Sequence, residues 1–128
     1  MRALLDTHVF LWWNMDDPQL SSAAREIISD GRNELFFSAA SAWEIAIKTA
    51  RGKLLLPEPP ERYVAKRMAL HQLQPLPIQL SHALRVFELP DLHRDPFDRL
   101  LIVQSILEDL PILTQDENIR RYSVNTVW

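Results

Sequence analysis

The chain has 128 residues, of which 47% are hydrophobic and 24% charged, and this is the composition of a globular protein. It contains no cysteine and only two glycines, which excludes disulfide frameworks, thiolate zinc sites, cysteine nucleophiles and glycine-rich nucleotide-binding loops. The formal net charge of −3 is not the basic balance typical of a nucleic-acid-binding protein.

The length predicts a single domain over residues 1–128. No apolar run approaches the roughly 20 residues needed to cross a bilayer. The N-terminal residues lack the long apolar run and small-residue cleavage site of a signal peptide. We therefore expect a cytoplasmic protein with no membrane association.

Short apolar runs and helical periodicities alternate along the first half of the chain. Buried strands of parallel sheets are short and continuously apolar, whereas helices repeat apolar residues every three or four positions. These patterns predict, in chain order, a strand over 2–5, helices over 7–14 and 22–30, a strand over 34–38 and a helix over 40–51. Gly31 and Gly52 follow two of these helices, and we expect both to end them in the left-handed conformation.

The alternation continues after a proline-rich break near Pro59. The patterns predict, in chain order, a helix over 61–73, a strand over 76–78 and helices over 81–88 and 95–109. Two further strands are predicted over 112–114 and 124–128. Strands separated by helices predict an α/β fold, namely a three-layer α/β/α sandwich around a central parallel sheet.

Acidic residues from distant parts of the sequence are predicted to meet at one edge of this sheet. Asp6 and Asp116 directly follow two predicted strands, and ligands bind in such sheets outside the carboxyl ends of the strands. Glu44 and Asp98 lie near the starts of helices that begin over the same edge, and Asp95 is one turn before Asp98. Four acids, with Asp95 as a fifth candidate, are therefore expected around one pocket.

Carboxylates that lie a few ångströms apart cannot all stay ionised without compensation. A divalent cation removes this conflict, and an oxygen-only set of ligands favours Mg²⁺ or Mn²⁺. Such an ion activates water and stabilises charge on a phosphoryl oxygen, so the cluster favours phosphodiester hydrolysis. Three nearby basic residues, Lys48, Arg94 and Arg99, are expected to contact a phosphate backbone.

Each of these acids also has a structural explanation. Asp6, Asp95 and Asp116 can cap helices, and Asp98 suits the first turn of a helix. Glu44 can lie on a solvated face, but its neighbours are apolar, and a lone acid among them is costly to bury. The predicted meeting of the acids favours the functional explanation over these separate ones.

Other polar and aromatic residues are assigned mostly structural roles. His93 is a candidate for substrate contact, because it lies beside Arg94 and Asp95. Ser38, Ser41 and Thr114 are expected to cap or pack, although any of them could orient a bound water. Trp12, Trp13 and Trp43, at helical spacing, are expected in the core rather than as stacking platforms.

Four segments together resemble the PIN-domain family and, more narrowly, the VapC toxins of type II toxin–antitoxin modules. These segments are Leu-Leu-Asp6-Thr-His, Ser-Ala-Ala-Ser-Ala-Trp-Glu44-Ile, His-Arg-Asp-Pro-Phe-Asp98-Arg-Leu-Leu-Ile and Leu-Thr-Gln-Asp116. The resemblance covers essentially the whole chain and implies a PIN-like α/β/α fold. It also implies an Mg²⁺- or Mn²⁺-dependent endoribonuclease whose metal-binding, catalytic acids match Asp6, Glu44, Asp98 and Asp116.

The third of these segments departs from the usual family pattern. Many family members carry one acid there, whereas this chain has both Asp95 and Asp98, and we prefer Asp98 as the ligand. The resemblance further implies an RNA substrate, a homodimer and a cognate antitoxin that covers the acidic site. The helices after Ser21 and Glu61 are candidate surfaces for those protein contacts.

Two other functions are compatible with the sequence. A phosphatase could use Asp6 as its nucleophile, but that chemistry usually requires an acid two residues later, where this chain has His8. A non-catalytic binding module could use the same acids to recruit a basic partner, although the complete set of acids argues against it.

Overall fold

A five-stranded, all-parallel sheet organises the computed structural model, which describes residues 1–128. The strands are β1 (Arg2–Leu5), β2 (Glu34–Ser38), β3 (Gln74–Leu76), β4 (Ile112–Leu113) and β5 (Thr126–Val127). Their order in the sheet is β3-β2-β1-β4-β5, so β1 lies at the centre. Every neighbouring pair is parallel, which confirms the predicted sheet.

Seven α-helices connect the strands. They are α1 (Thr7–Asn14), α2 (Ser22–Ser29), α3 (Ala39–Ala50), α4 (Pro60–His71), α5 (Leu80–Arg85), α6 (Pro96–Glu108) and α7 (Glu117–Arg120). A 3₁₀ turn, Val86–Glu88, extends α5, so the segment predicted as one helix over 81–88 changes its helical type part-way. None of the helices combines the length and the apolar character needed to span a bilayer.

The sheet has a hydrophobic core on each face, as the three-layer prediction requires. Successive residues of β1 point to opposite faces, because the side chains of a strand alternate. Ala3 and Leu5 pack in the core that contains Phe10 of α1, whereas Leu4 packs with Leu101 of α6 in the second core. Burial on both faces explains why β1 is a continuous apolar run rather than an alternating one.

The two glycines behave differently at the ends of helices. Gly52 follows α3 with a φ of 71°, which confirms its predicted left-handed conformation. The prediction for Gly31 is wrong, because Asp30 leaves α2 in an extended conformation and no positive φ follows. The Asp30 carboxylate instead accepts a hydrogen bond from the backbone amide of Arg32 at 3.0 Å, and this side-chain turn replaces the glycine stop.

Strand β3 lies two residues earlier than the sequence predicted. Its register pairs Phe36 with Gln74 and Ser38 with Leu76. Pro75 is tolerated inside this strand because β3 is an edge strand, where a missing N–H breaks no second ladder. Tertiary pairing with β2, rather than the apolar pattern, therefore decides where this strand begins.

A buried hydrogen-bond network joins the carboxyl end of β2 to α6. The hydroxyl of Ser38 donates to Oε1 of Gln104 at 2.5 Å and accepts from the amide of Ala40 at 2.9 Å. Nε2 of Gln104 donates to the carbonyl of Pro77 at 3.1 Å. Because both Ser38 and Gln104 are fully buried, these bonds fix the distance between the start of α3 and the middle of α6.

Replacement of Gln104 by alanine is expected to lower the free energy of unfolding by about 1–3 kcal/mol, since it leaves buried polar groups without partners. Urea unfolding measures this loss. The matched control is Gln74→Ala, which removes an exposed glutamine. A loss for Gln104→Ala no larger than that of the control would contradict the assigned role of the network.

Candidate active site

The acids predicted to converge lie together at the carboxyl edge of the sheet. Asp6 follows β1, Asp116 begins α7 just after β4, and Glu44 and Asp98 lie in α3 and α6. Burial, followed by the charges of Asp95, Asp6, Asp116 and Glu44, raises the pKa of Asp98 to about 8. The five carboxyl groups thus form one electrostatic cluster, in which full ionisation is unfavourable without a cation.

Asp6 is the most constrained member of the cluster. Its carboxylate is buried, and its Oδ2 accepts a hydrogen bond from the hydroxyl of Thr114 at 2.7 Å. The same hydroxyl accepts from the amide of Asp116 at 3.0 Å, so it has one orientation. Burial raises the pKa of Asp6, although the hydrogen bond from Thr114 opposes this shift.

The second carboxylate oxygen of Asp6, Oδ1, has no hydrogen-bond partner within the protein. Asp6 precedes α1, yet its side chain does not cap that helix, so the capping explanation is wrong for this residue. Its Oδ1 is buried without a hydrogen-bond partner. Buried acceptors are normally paired, and an oxygen of this kind is available to a cation.

Asp98 is buried in the first turn of α6 against His93. Nε2 of His93 lies 3.2 Å from Oδ2 of Asp98, and Nδ1 of His93 lies 2.7 Å from the hydroxyl of Tyr122. The sequence made His93 a candidate for substrate contact, and in the structure its ring lies against the carboxylate of Asp98. Sequence reasoning did not find Tyr122, because no local pattern links it to His93, which precedes it by 29 positions.

Glu44 is buried despite its charge, with only 2% of its surface exposed, so it does not lie on a solvated face. Its Oε2 lies 2.6 Å from Nζ of Lys48, one turn later in α3. Burial lowers the pKa of Lys48, but the hydrogen bond and charge of Glu44 and the charges of Asp95 and Asp98 outweigh it and raise the pKa overall. The ammonium group of Lys48 is therefore committed to the acidic cluster.

Asp95 and Asp116 are helix caps as well as members of the cluster. Oδ1 of Asp95 accepts from the amides of Phe97 and Asp98, at 2.9 and 3.1 Å. Oδ1 of Asp116 accepts from the amide of Asn118 at 2.8 Å. The structural explanation thus holds for both residues, and each keeps its other carboxylate oxygen outside these capping bonds.

An open cleft of about 400 Å³ adjoins the cluster. The residues that line it are Asp6, His8, Trp12, Gln115, Asp116 and Glu117. Asp6 and Asp116 line it directly, while Glu44 and Asp98 lie outside this lining set. The cleft therefore opens onto the cluster at Asp6 and Asp116.

The arginines near the cluster differ in what their side chains contact. Arg94 is exposed. Nη1 of Arg99 donates to the carbonyl of Pro90 at 3.0 Å and to the hydroxyl of Tyr122 at 2.9 Å. Arg99 therefore anchors the loop before α6 through its Nη1.

One of the three tryptophans assigned to the core lies on the surface instead. Trp12 and Trp13 pack against the core, as expected. Trp43 is 53% exposed, and its assignment to the core is wrong. The inward face of α3 is occupied by Glu44 and its buried neighbours, which turns the preceding residue outward.

The donor set fits a hard divalent cation. No group of three or more acidic or histidine side chains is placed so that it could hold a metal ion together. Mg²⁺, however, is typically held by one or two carboxylates together with water and substrate phosphate. The unpartnered Oδ1 of Asp6 and the raised pKa of Asp98 are both features that a bound cation would relieve. The ligand atoms that the acids offer are oxygens, which is the preference of Mg²⁺ and Mn²⁺.

The raised pKa of Asp98 makes the stability of the metal-free protein depend on pH. The unfolded chain releases this proton near pH 3.9, whereas the folded protein keeps it to about pH 8, so stability is expected to fall as the pH rises between these values. Thermal unfolding in EDTA, at about pH 6.5 and about pH 8.5, measures the fall. Asp98→Asn removes the titrating group and should show a smaller decrease; an equal decrease in both proteins would contradict the assignment.

Comparison with known proteins agrees with the fold. The PIN domain model matches residues 3–125. Ribonuclease VapC22 of Mycobacterium tuberculosis is 30% identical over 129 aligned positions, which span 98% of this chain and 97% of that protein. Ribonuclease VapC16 of the same organism is 45% identical over 69 residues, which span 51% of this chain and about half (49%) of that protein.

A solved structure supports the same architecture. This chain superimposes with a TM-score of 0.71 on a chain of the crystal structure of VapBC2 from Rickettsia felis. That structure contains VapBC2 bound to a DNA fragment from its promoter. It covers 100% of this chain and 98% of the matched chain at 14% sequence identity, so it shows likeness of fold. A domain match over nearly the full length, together with a relative aligned from end to end, shows that this chain belongs to the PIN-domain family.

Proposed function

We propose that this protein is a divalent-metal-dependent endoribonuclease that hydrolyses RNA phosphodiester bonds, with residues 1–128 as one catalytic domain. The observation that carries the proposal is the buried carboxylate cluster beside an open cleft, with Oδ1 of Asp6 unpartnered and the pKa of Asp98 raised to about 8. A site of this kind is electrostatically incomplete until a cation binds. Its similarity to proteins named as ribonucleases supports the choice of RNA.

We assign Asp6, Glu44, Asp98 and Asp116 as the residues that would hold Mg²⁺ or Mn²⁺. Such an ion supplies a water nucleophile at neutral pH and stabilises negative charge on the phosphoryl oxygens. Asp95 is kept as a fifth candidate ligand: its Oδ1 is bonded to two amides at the start of α6, and its second carboxylate oxygen lies outside these bonds. Its charge still adds to the negative potential at Asp98.

Three neighbouring side chains would hold the acids in place. Thr114 is bonded to Oδ2 of Asp6, which leaves Oδ1 for another ligand. His93 lies against one oxygen of Asp98, and Lys48 against one oxygen of Glu44. These contacts fix each carboxylate before substrate arrives, which reduces the reorganisation needed for catalysis.

Among the basic residues, Arg94 is the remaining candidate for direct contact with the RNA backbone. Lys48 and Arg99 already bond to Glu44 and to the loop before α6. Arg94 is exposed and lies next to the loop and helix start that carry His93 and Asp95. A single phosphate contact of this kind contributes to affinity without reading sequence.

We further propose that the protein is the toxin of a type II toxin–antitoxin pair, with a cognate antitoxin and a homodimer as its protein partners. The relatives carry the name VapC, and the similar VapBC2 structure contains promoter DNA. An antitoxin that covers the acidic cleft would offset its negative charge with basic side chains. A ribonuclease of this kind meets RNA in the cytoplasm, which is where we propose that it acts.

Cleavage of total RNA by the purified protein should require Mg²⁺ or Mn²⁺ and should stop in EDTA. Asp6→Asn and Asp98→Asn should each lose at least about a hundredfold in rate while keeping the fold, since each removes a charge that would bind the cation. Sequencing of the cut ends measures the activity, and circular dichroism checks the fold.

The matched control for these variants is Asp109→Asn, at the opposite end of α6. Asp109 is exposed and has a φ of 53°, a conformation that asparagine tolerates, so this variant should cleave as the wild type does. Wild-type cleavage by folded Asp6→Asn and Asp98→Asn would refute the proposed site. Metal binding without cleavage of any RNA would instead favour a non-catalytic binding module.

Metal binding should also be visible without an activity assay. Mn²⁺ at about 100 times its dissociation constant should raise the free energy of unfolding by about 2.7 kcal/mol, because it binds the folded state alone. Asp6→Asn, which removes the charge on the unpartnered oxygen, should show a clearly smaller gain in thermal unfolding. Equal gains in the two proteins would mean that the cation binds elsewhere.

A further inference from the structure

An aromatic pair, an exposed tryptophan packed on a half-buried phenylalanine, lies beside two of the acids of the cluster. Trp43 precedes Glu44 in α3, and Phe97 precedes Asp98 in α6. The two rings meet edge to face, with their centroids 5.1 Å apart and their planes at 82°. Each helix therefore buries an acid next to an aromatic residue, and of the two rings that of Trp43 is the exposed one.

Trp43 differs from the other tryptophans in how little of its ring is covered. Trp12 packs edge-on against Trp128 with centroids 6.2 Å apart, and the indole N–H of Trp13 donates to the ring of His71. The indole of Trp43 is 53% exposed, although Phe97 fixes its orientation. A rigid, exposed aromatic ring offers a large contact area at a low cost in conformational entropy.

RNA binding by this chain needs a source of affinity other than charge. The formal net charge is −3, and the site itself concentrates carboxylates, so a polyanion is repelled at long range. The ammonium of Lys48 and the guanidinium of Arg99 are engaged within the protein. Stacking of bases on aromatic rings does not depend on net charge, because every base has a π face.

We propose that Trp43, held by Phe97, is the platform on which an unpaired base of single-stranded RNA stacks next to the scissile phosphate. This inference rests on the proposed ribonuclease function. Proteins that recognise single-stranded RNA commonly splay bases onto aromatic side chains, and the adjacent phosphates are then left at fixed positions. Because Trp43 and Phe97 directly precede Glu44 and Asp98, a phosphate held at the acids would bring the base of a neighbouring nucleotide to the side of the cluster where Trp43 is exposed.

A protein partner is the competing occupant of this surface. The outward face of α3 also exposes Ala39, Ala46 and Ala50, so it is apolar beyond Trp43. RNA is favoured because the aromatic pair is confined to the two positions directly before Glu44 and Asp98. A contact made only for association would not need to coincide with both acids.

The test measures binding of a fluorescein-labelled, mixed-sequence single-stranded RNA with cleavage-resistant phosphorothioate linkages, in the presence of Mn²⁺. Trp43→Ala should weaken the affinity about tenfold, which corresponds to the loss of one stacked base, and Trp43→Phe should lose less. The control Phe87→Ala removes an aromatic ring that is 94% exposed but not adjacent to an acid of the cluster, and should bind as the wild type does. In cleavage assays, Trp43→Ala should raise KM more than it lowers kcat.

The results separate failure of this inference from failure of the proposed function. Metal-dependent cleavage by the wild type, with unchanged affinity and KM in folded Trp43→Ala, would overturn the stacking role and leave the ribonuclease intact. Loss of an oligomer in light scattering, with RNA affinity unchanged, would assign the ring to a protein interface and also overturn it. A wild type that binds the oligonucleotide through Trp43 but cleaves no RNA would support stacking and reject the proposed function.

Discussion

Mutual repulsion among buried carboxyl groups at the carboxyl edge of the parallel sheet is the constraint on which the site depends. Asp6, Glu44 and Asp98 are all buried, and Asp95 and Asp116 add charge beside them. A cluster of this kind destabilises the metal-free protein, so the two hydrophobic cores have to hold it together. The raised pKa values of Asp6 and Asp98 are the visible result of this conflict.

The fold offsets part of this repulsion with local interactions. Asp98 lies in the first turn of α6, and Asp95 and Asp116 cap helices, where the positive end of the helix dipole favours negative charge. Lys48 forms an ion pair with Glu44, and Thr114 donates to Asp6. Structural and functional explanations are thus not alternatives for Asp95 and Asp116, because the geometry that caps a helix also brings a carboxylate to the edge of the sheet.

The supporting residues come from segments far apart in the chain. Tyr122 contacts both His93 and Arg99, and so links the C-terminal segment to the loop before Asp98. Ser38 and Gln104 connect the start of α3 to α6, the two helices that carry Glu44 and Asp98. These hydrogen bonds keep the helices in register, so the separation of the acids depends on buried polar contacts as much as on the acids themselves.

The sequence by itself determined the alternation of strands and helices, the parallel sheet and the positions of Asp6 and Asp116 after strands. These features follow from local periodicity and from the rule that parallel strands end at a common edge. The four segments around the acids were likewise enough to indicate the PIN-domain family, because spacing along the chain is itself a sequence property.

Only the tertiary structure decided which polar side chains form hydrogen bonds within the protein and which have no partner there. No local pattern reveals that Arg99 bonds to Pro90 and Tyr122, or that Oδ1 of Asp6 is buried without a partner. The exposure of Trp43 was equally hidden, because periodicity indicates a helix but not which neighbour covers each face. Such properties arise from contacts between distant segments, and hydrogen bonding, burial and pKa are set where those segments meet.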